Sequence, residues 1–127
     1  MSTLITDTGF TLDDFNAPFD GITALDLASD VDPTTLDLPE STTMIRVDFP
    51  SFADGRGFTI ARQLRLRGYT GRLRARGHVI ADQYAMARRA GFDEVEIDAA
   101  LAQRQPEADW LARADWQNND YQARLRG

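Results

Sequence analysis

The densest chemistry in this sequence is the run Arg72-Leu73-Arg74-Ala75-Arg76-Gly77-His78. An arginine guanidinium is a planar fork that grips sulfate, phosphate or carboxylate through two parallel hydrogen bonds. His78 is the only histidine in the chain, and the only side chain whose ordinary titration falls near neutral pH. A second group lies at Arg46 and Asp48, which alternate with apolar residues just before Pro50. Arg46, Arg74 and Arg76 are therefore candidates for an anion pocket, with Asp48 and His78 beside them. A ladder of opposite charges between neighbouring strands would use the same residues.

The stretch Phe52-Ala53-Asp54-Gly55-Arg56-Gly57-Phe58-Thr59 is a second candidate. Its glycines allow a tight turn, and the helix expected after it begins with unpaired N–H groups and a partial positive charge. Asp54 and Arg56 are the polar residues placed to use that position, and Asp54 or Thr59 could equally cap the helix. The spacing does not match the G-x-G-x-x-G of a dinucleotide loop. Further along, Arg62, Asp82 and Gln83 complete the list of candidate anion-site residues.

Composition removes several chemistries. The chain has 127 residues, no cysteine, and 14 basic residues that are all arginine. There is no disulfide, thiolate nucleophile or zinc–thiolate site to consider, and no Schiff-base lysine. One histidine cannot make a multi-histidine metal centre, so no metal is expected. No cofactor is evident, although flavin, which needs no fixed motif, stays open. The net charge of −6 argues against a nucleic-acid partner. No apolar run reaches the roughly 18–20 residues of a membrane span, and no signal peptide is visible. The expectation is a cytoplasmic protein.

The elements that must position these residues follow from hydrophobic periodicity. Residues 3–11 read as a hairpin turning at Asp7-Thr8-Gly9, and 12–20 as a connection. Strands are expected at 22–27, 44–49, 73–77 and 94–97, and helices at 57–67, 80–90, 99–105 and 107–115. The order strand–helix–strand–helix–strand, with short connections, calls for parallel strands and right-handed crossovers. The fold expected is α/β: a small, mostly parallel sheet of about four strands built from βαβαβ, helices mainly on one face, and an N-terminal β-hairpin. The whole of 1–127 reads as one domain, with 1–20 the hairpin and connection, 21–98 the core, and 99–127 the C-terminal helices and tail.

The strands have unlike faces. Ile45, Val47 and Phe49 oppose Arg46 and Asp48; Leu73 and Ala75 oppose Arg72, Arg74 and Arg76; Val95 and Ile97 oppose Glu94, Glu96 and Asp98. A parallel sheet covered by helices on both sides is usually apolar throughout. The charged face is thus expected to meet solvent, a symmetry mate, or the inside of a partial barrel. Charge is also blocked along the chain: residues 1–45 hold nine acids and no base, 46–91 hold ten arginines and three acids, and 92–127 hold four arginines and eight acids. This pattern suggests internal pairing or an anion site.

The stretch from Asp48 to Ile97 resembles a bacterial family of unknown function, often labelled as oxidoreductases of sulfite reduction because its members accompany sulfate-assimilation proteins. The likeness rests on Phe52, Asp54-Gly55-Arg56-Gly57-Phe58-Thr59, Ala61-Arg62, Leu64-Arg65, Arg74-Ala75, Gly77, Asp82-Gln83 and Gly91-Phe92, with Tyr121-Gln122 near the end. It departs at Arg76 and His78, where the family pattern has a small apolar residue and an acid. The resemblance implies a pathway more than a mechanism. Three functions are expected in competition. The first is an accessory or regulatory protein of assimilatory sulfate and sulfite reduction, binding an oxyanion, a nucleotide or a partner such as sulfite reductase or the sulfate-activating enzymes. The second is an oxidoreductase of sulfite reduction, which the lack of cysteine pairs weighs against. The third is a structural adaptor or homodimer that docks through Trp110, Trp116 and Tyr121.

Overall fold

The computed structural model describes residues 2–116. Its elements are β1 (Ser2–Thr6), β2 (Gly9–Thr11), β3 (Ala24–Leu27), β4 (Met44–Phe49), α1 (Arg56–Leu66), β5 (Arg72–Gly77), α2 (Tyr84–Ala90, entered through a 3-10 turn at Ala81–Gln83), β6 (Glu94–Asp98), α3 (Ala99–Arg104) and α4 (Glu107–Leu111). All six strands form one sheet in the order β2-β1-β6-β5-β4-β3. Strands β3 to β6 are parallel, while β1 runs antiparallel to both β6 and β2.

Two expectations are corrected here. The sheet has six strands rather than about four, because the N-terminal hairpin joins it: Leu4 pairs with Glu96 and Ile5 with Val95. The expected 80–90 helix is also divided, its first turn being 3-10, a common way for a helix to begin.

The apolar face carries the core. Ile45, Val47, Phe49, Leu73, Ala75, Val95 and Ile97 pack with Ile60, Ala61 and Leu64 of α1, Tyr84 and Ala87 of α2, Leu101 of α3 and Trp110 of α4. The α1 residues recur at i, i+1 and i+4, which puts one stripe of the helix on the sheet. Gly57 belongs to that stripe, and the Phe49 ring lies where its side chain would be, with Cζ only 2.4 Å from an added Cβ. Phe49 in turn meets Phe58 and Phe92 edge-on, at 5.0 and 5.8 Å between centroids. Gly57→Ala therefore forces this aromatic cluster to shift. We expect a loss of about 1–3 kcal/mol, read by chemical denaturation.

Each sheet edge carries a contact from the chain itself. At β2, Glu107 of α4 accepts the Phe10 N–H at 2.8 Å. At β3, the Gly21 N–H bonds the Ala24 carbonyl at 3.0 Å, and Asp20 Oδ1 accepts from the N–H groups of Ile22 and Thr23. Unpaired edges invite pairing with other chains, and these contacts occupy part of each edge.

The path from β2 to β3 sets everything that follows. These strands lie at opposite edges of the sheet, about 24 Å apart at the usual spacing between neighbours. Residues 12–23 join them, and an extended chain of that length reaches roughly 40 Å. The connection crosses the face opposite the helices. It forms a strap over the charged side chains.

Candidate functional site

The charged face is a network of arginines and carboxylates in register. Asp26 stands beside Arg46, Arg46 beside Arg74, and Arg74 beside Glu94. Arg46 donates to Asp26 through Nε at 3.1 Å and Nη2 at 2.8 Å, and to Glu96 through Nη1 at 3.3 Å. Arg72 holds Glu94 through Nε and Nη2 at 3.0 and 2.9 Å. Arg76, half exposed, reaches Glu96 at 3.4 Å and Asp48 at 3.9 Å.

Arg74 is the centre. Its side chain has no solvent exposure. Nε bonds Glu94 at 2.7 Å and Nη1 bonds Glu96 at 2.9 Å. Its outward edge takes Asp13 of the strap as a fork, Nη1 to Oδ2 at 2.9 Å and Nη2 to Oδ1 at 3.0 Å. Burial pulls the Arg74 pKa down, but the bonds it donates to Asp13 and Glu96 and the charge of Glu94 outweigh it and the net shift is upward. The Arg74 bonds likewise hold the Asp13 carboxyl below its usual range.

The strap adds more than Asp13. Asp14 pairs with Arg72 at 2.9 Å. The Phe15 ring lies against the Arg72 guanidinium at 5.7 Å and Phe19 against that of Arg46 at 4.0 Å, both within cation–π range. Four arginines thus meet four strand carboxylates (Asp26, Asp48, Glu94 and Glu96) and two from the strap. The face is not electropositive. The acidic block at the N-terminus and the basic block in the middle answer each other across this sheet.

The other sequence candidates lie elsewhere. Asp54 and Arg56 face each other at the start of α1: Arg56 donates through Nε at 3.0 Å and Nη2 at 2.7 Å, with Nη2 also reaching Ser29 Oγ at 2.9 Å. Asp54 also accepts the Arg56 N–H, as the capping reading allows, and Arg56 draws its carboxyl down strongly. Beside them, beyond the carboxyl ends of β3 and β4, is a cleft of about 300 Å³ lined by Ser29, Asp30, Val31, Arg56 and Thr59. Arg62 is exposed on α1. Asp82, which could have been its partner, binds Arg113 at 2.8 Å.

Gln83 is a loop clamp. It accepts the Ile80 N–H at 3.1 Å and donates to the Phe52 carbonyl at 3.0 Å. His78 stands just past β5, its ring edge-on to Phe52 at 5.2 Å and Nδ1 3.3 Å from the Phe49 carbonyl. The structure therefore brings Arg46, Arg74 and Arg76 onto one face, joins Asp54 to Arg56, and leaves Arg62, His78, Asp82 and Gln83 apart from both groups.

Sequence reasoning did not single out the strap residues Asp13, Asp14, Phe15 and Phe19, or the role of Arg65. The available signal for the strap was an acidic, aromatic segment outside the strands, in a chain whose basic block lacked a partner. Trp110 is fully buried in the core, edge-on to Tyr84 at 6.0 Å, and its indole N–H bonds the Gln105 carbonyl. Trp116 packs on Arg88. Both contacts are intramolecular; Tyr121 lies outside the described residues. Among the described residues, no three His, Cys, Asp or Glu side chains group to hold a metal ion, and no helix is long and apolar enough to cross a membrane.

Fold and site together define a mixed α/β domain in which parallel strands display a self-neutralised arginine–carboxylate network beneath a crossing strap. By sequence the chain belongs to the family described as "Bacterial protein of unknown function (DUF934)", whose model matches residues 24–127. The match begins at the first residue of β3, so the hairpin and strap precede it. No curated protein and no solved structure matches the chain.

Proposed function

We propose that this chain is an accessory protein of assimilatory sulfate and sulfite reduction that acts by binding a partner protein. The pathway is supported by the resemblance of residues 48–97 to proteins that accompany sulfate assimilation. The binding role is supported by one observation above all: the arginine-rich face is a closed network in which Arg46, Arg72, Arg74 and Arg76 are each held by carboxylates of the same chain. A free oxyanion arriving at Arg74 would have to displace, with a single contact, the Asp13 fork that the chain itself tethers there. A sequence without cysteine offers no thiol pair for electron transfer, which weighs against the oxidoreductase reading.

A second reading, oxyanion or nucleotide binding, is favoured at the Arg56 cleft. There an exposed guanidinium and the Thr59 hydroxyl meet the amino-terminal turn of α1, at the end of the strands where ligands of parallel sheets gather. Asp30 in the same wall opposes it.

The test is purified mixing. The full chain is passed over a sizing column with sulfite reductase, and separately with the sulfate-activating enzymes, from the same bacterium. Co-elution with one of them is expected. Separate elution of all of them overturns the pathway reading. Calorimetry with sulfite, sulfate and an adenylyl sulfate tests the second reading. Heat that disappears in Arg56→Ala would establish it, and no heat with any of the three would remove it.

A further inference from the structure

We infer that the strap is a ligand held in cis. The groove beneath it, floored by Arg46, Arg72 and Arg74, is a docking site for an extended acidic segment of a partner protein with two aromatic residues four positions apart.

Residues 12–19 make no backbone–backbone hydrogen bond to any strand among the described residues; the bonds of the crossing begin with Asp20 to Pro18 and Gly21 to Ala24. The strap is held by side chains: Asp13 on Arg74, Asp14 on Arg72, Phe15 on Arg72 and Phe19 on Arg46. The Asp14 pair and the cation–π contacts are individually weak, and the Asp13 fork on the buried Arg74 is the principal tie. Release of the strap is therefore a local opening that leaves every strand pairing in place.

The inner edges of Arg74 and Arg72 are committed to Glu94 and Glu96 of the neighbouring strand. The edges facing outward carry the Asp13 fork and the Asp14 bond. What they ask of an occupant is a carboxylate approaching from above the sheet, and any extended chain can present one. The two phenylalanines stand over guanidinium faces, and their rings meet each other at 5.5 Å. Ala24 and Met44 share this face at its β3 end and are fully buried. The groove thus selects for acid and aromatic groups together, as the segment Asp13-Asp14-Phe15-Asn16-Ala17-Pro18-Phe19 supplies them.

A tethered occupant competes at an effective concentration of about millimolar. A partner segment therefore binds weakly while the strap is closed and gains affinity when it opens. This inference rests on the partner-binding reading but needs no assignment of pathway. Its assay contains no sulfur enzyme, so its failure is separate from a failure of co-elution.

The experiment uses a fluorescein-labelled peptide of Thr11–Gly21 and the full chain, read by anisotropy. The chain carrying Asp13→Ala and Phe19→Ala is expected to bind the peptide at least about tenfold more tightly than the unmutated chain. A peptide with both Asp13 and Asp14 changed to Asn should lose about as much. The proposal is overturned when the folded double variant, checked by circular dichroism, gains no affinity over the unmutated chain. It is overturned equally when the peptide with Asp13 and Asp14 changed to Asn binds as well as the unmutated one. Should the double variant not fold, Phe15→Ala, which removes only the ring on Arg72, is judged by the same two outcomes.

Discussion

Arg74→Met lowers the stability of this domain by about 3–5 kcal/mol, the range for removing one partner of a buried ion pair. Arg74 has no solvent exposure, and Glu94 and Glu96 are only 4% and 6% exposed. Methionine fills much of the volume but donates nothing, so two desolvated carboxylates lose the guanidinium that lies between them. The cost comes from the charges left behind rather than from the bonds themselves. It follows that Arg74→Met combined with Glu94→Gln and Glu96→Gln loses less than Arg74→Met alone: no buried carboxylate is left beside the missing charge, and Arg46, Arg72 and Arg76 keep Asp26, Asp14 and Asp48. Urea denaturation at neutral pH measures both. Arg76→Ala is the control: its side chain is 47% exposed, and the change should stay within about 1 kcal/mol. A smaller loss in Arg74→Met than in the triple variant would show that the network is not the keystone described here.

The second large effect is at Arg65, a residue that looks like one more surface charge on α1. Its guanidinium closes two loops at once. Nη1 donates to the carbonyls of Tyr69 and Gly71 at 3.0 and 2.8 Å. Nε and Nη2 both donate to the Gly91 carbonyl at 3.0 and 2.8 Å, and Nη2 reaches Asp93 at 3.0 Å. These carbonyls end α1 and α2 and lead into β5 and β6. Arg65→Ala strands them and is expected to cost about 2–4 kcal/mol, since bonds to a charged donor are each worth more than neutral ones. Arg65→Lys should recover only part of this, because an ammonium on a flexible stem cannot span three carbonyls as the planar fork does. Thermal melts of the three proteins give the order. Equal stability of Arg65→Lys and the unmutated chain would sink the argument.

Much of the core architecture was legible in the residues. Alternation in Met44–Phe49 and Arg72–Gly77 marked strands with one apolar and one charged face, because side chains on a strand alternate with period two. The spacing of Ile60, Ala61 and Leu64 marked α1, and glycine, the residue type that commonly ends a helix, stands just past α1 at Gly68 and past α2 at Gly91. The joining of the hairpin to β6 was not legible, since Leu4 and Ile5 carry no sign of which strand they will meet. The division of the second helix into a 3-10 turn and α2 was equally hidden; at that turn Gln83 bonds Ile80 and, from a distant loop, Phe52.

The candidate site divides along the same line. Residue types alone put Arg46, Arg74 and Arg76 on charged strand faces and left open a ladder with Glu94 and Glu96, and the uneven charge blocks suggested internal pairing or an anion site. Which acids, and from which side, is a matter of strand order. Once β2 and β3 stand at opposite edges, the chain between them must cross a face of the sheet, and the helices occupy the other. Only that crossing sets Asp13 on Arg74 and Phe19 on Arg46, pairs separated by 61 and 27 positions in sequence. Local periodicity fixes the direction in which a side chain points, whereas its partner is chosen by long-range topology, which no short window of residues contains.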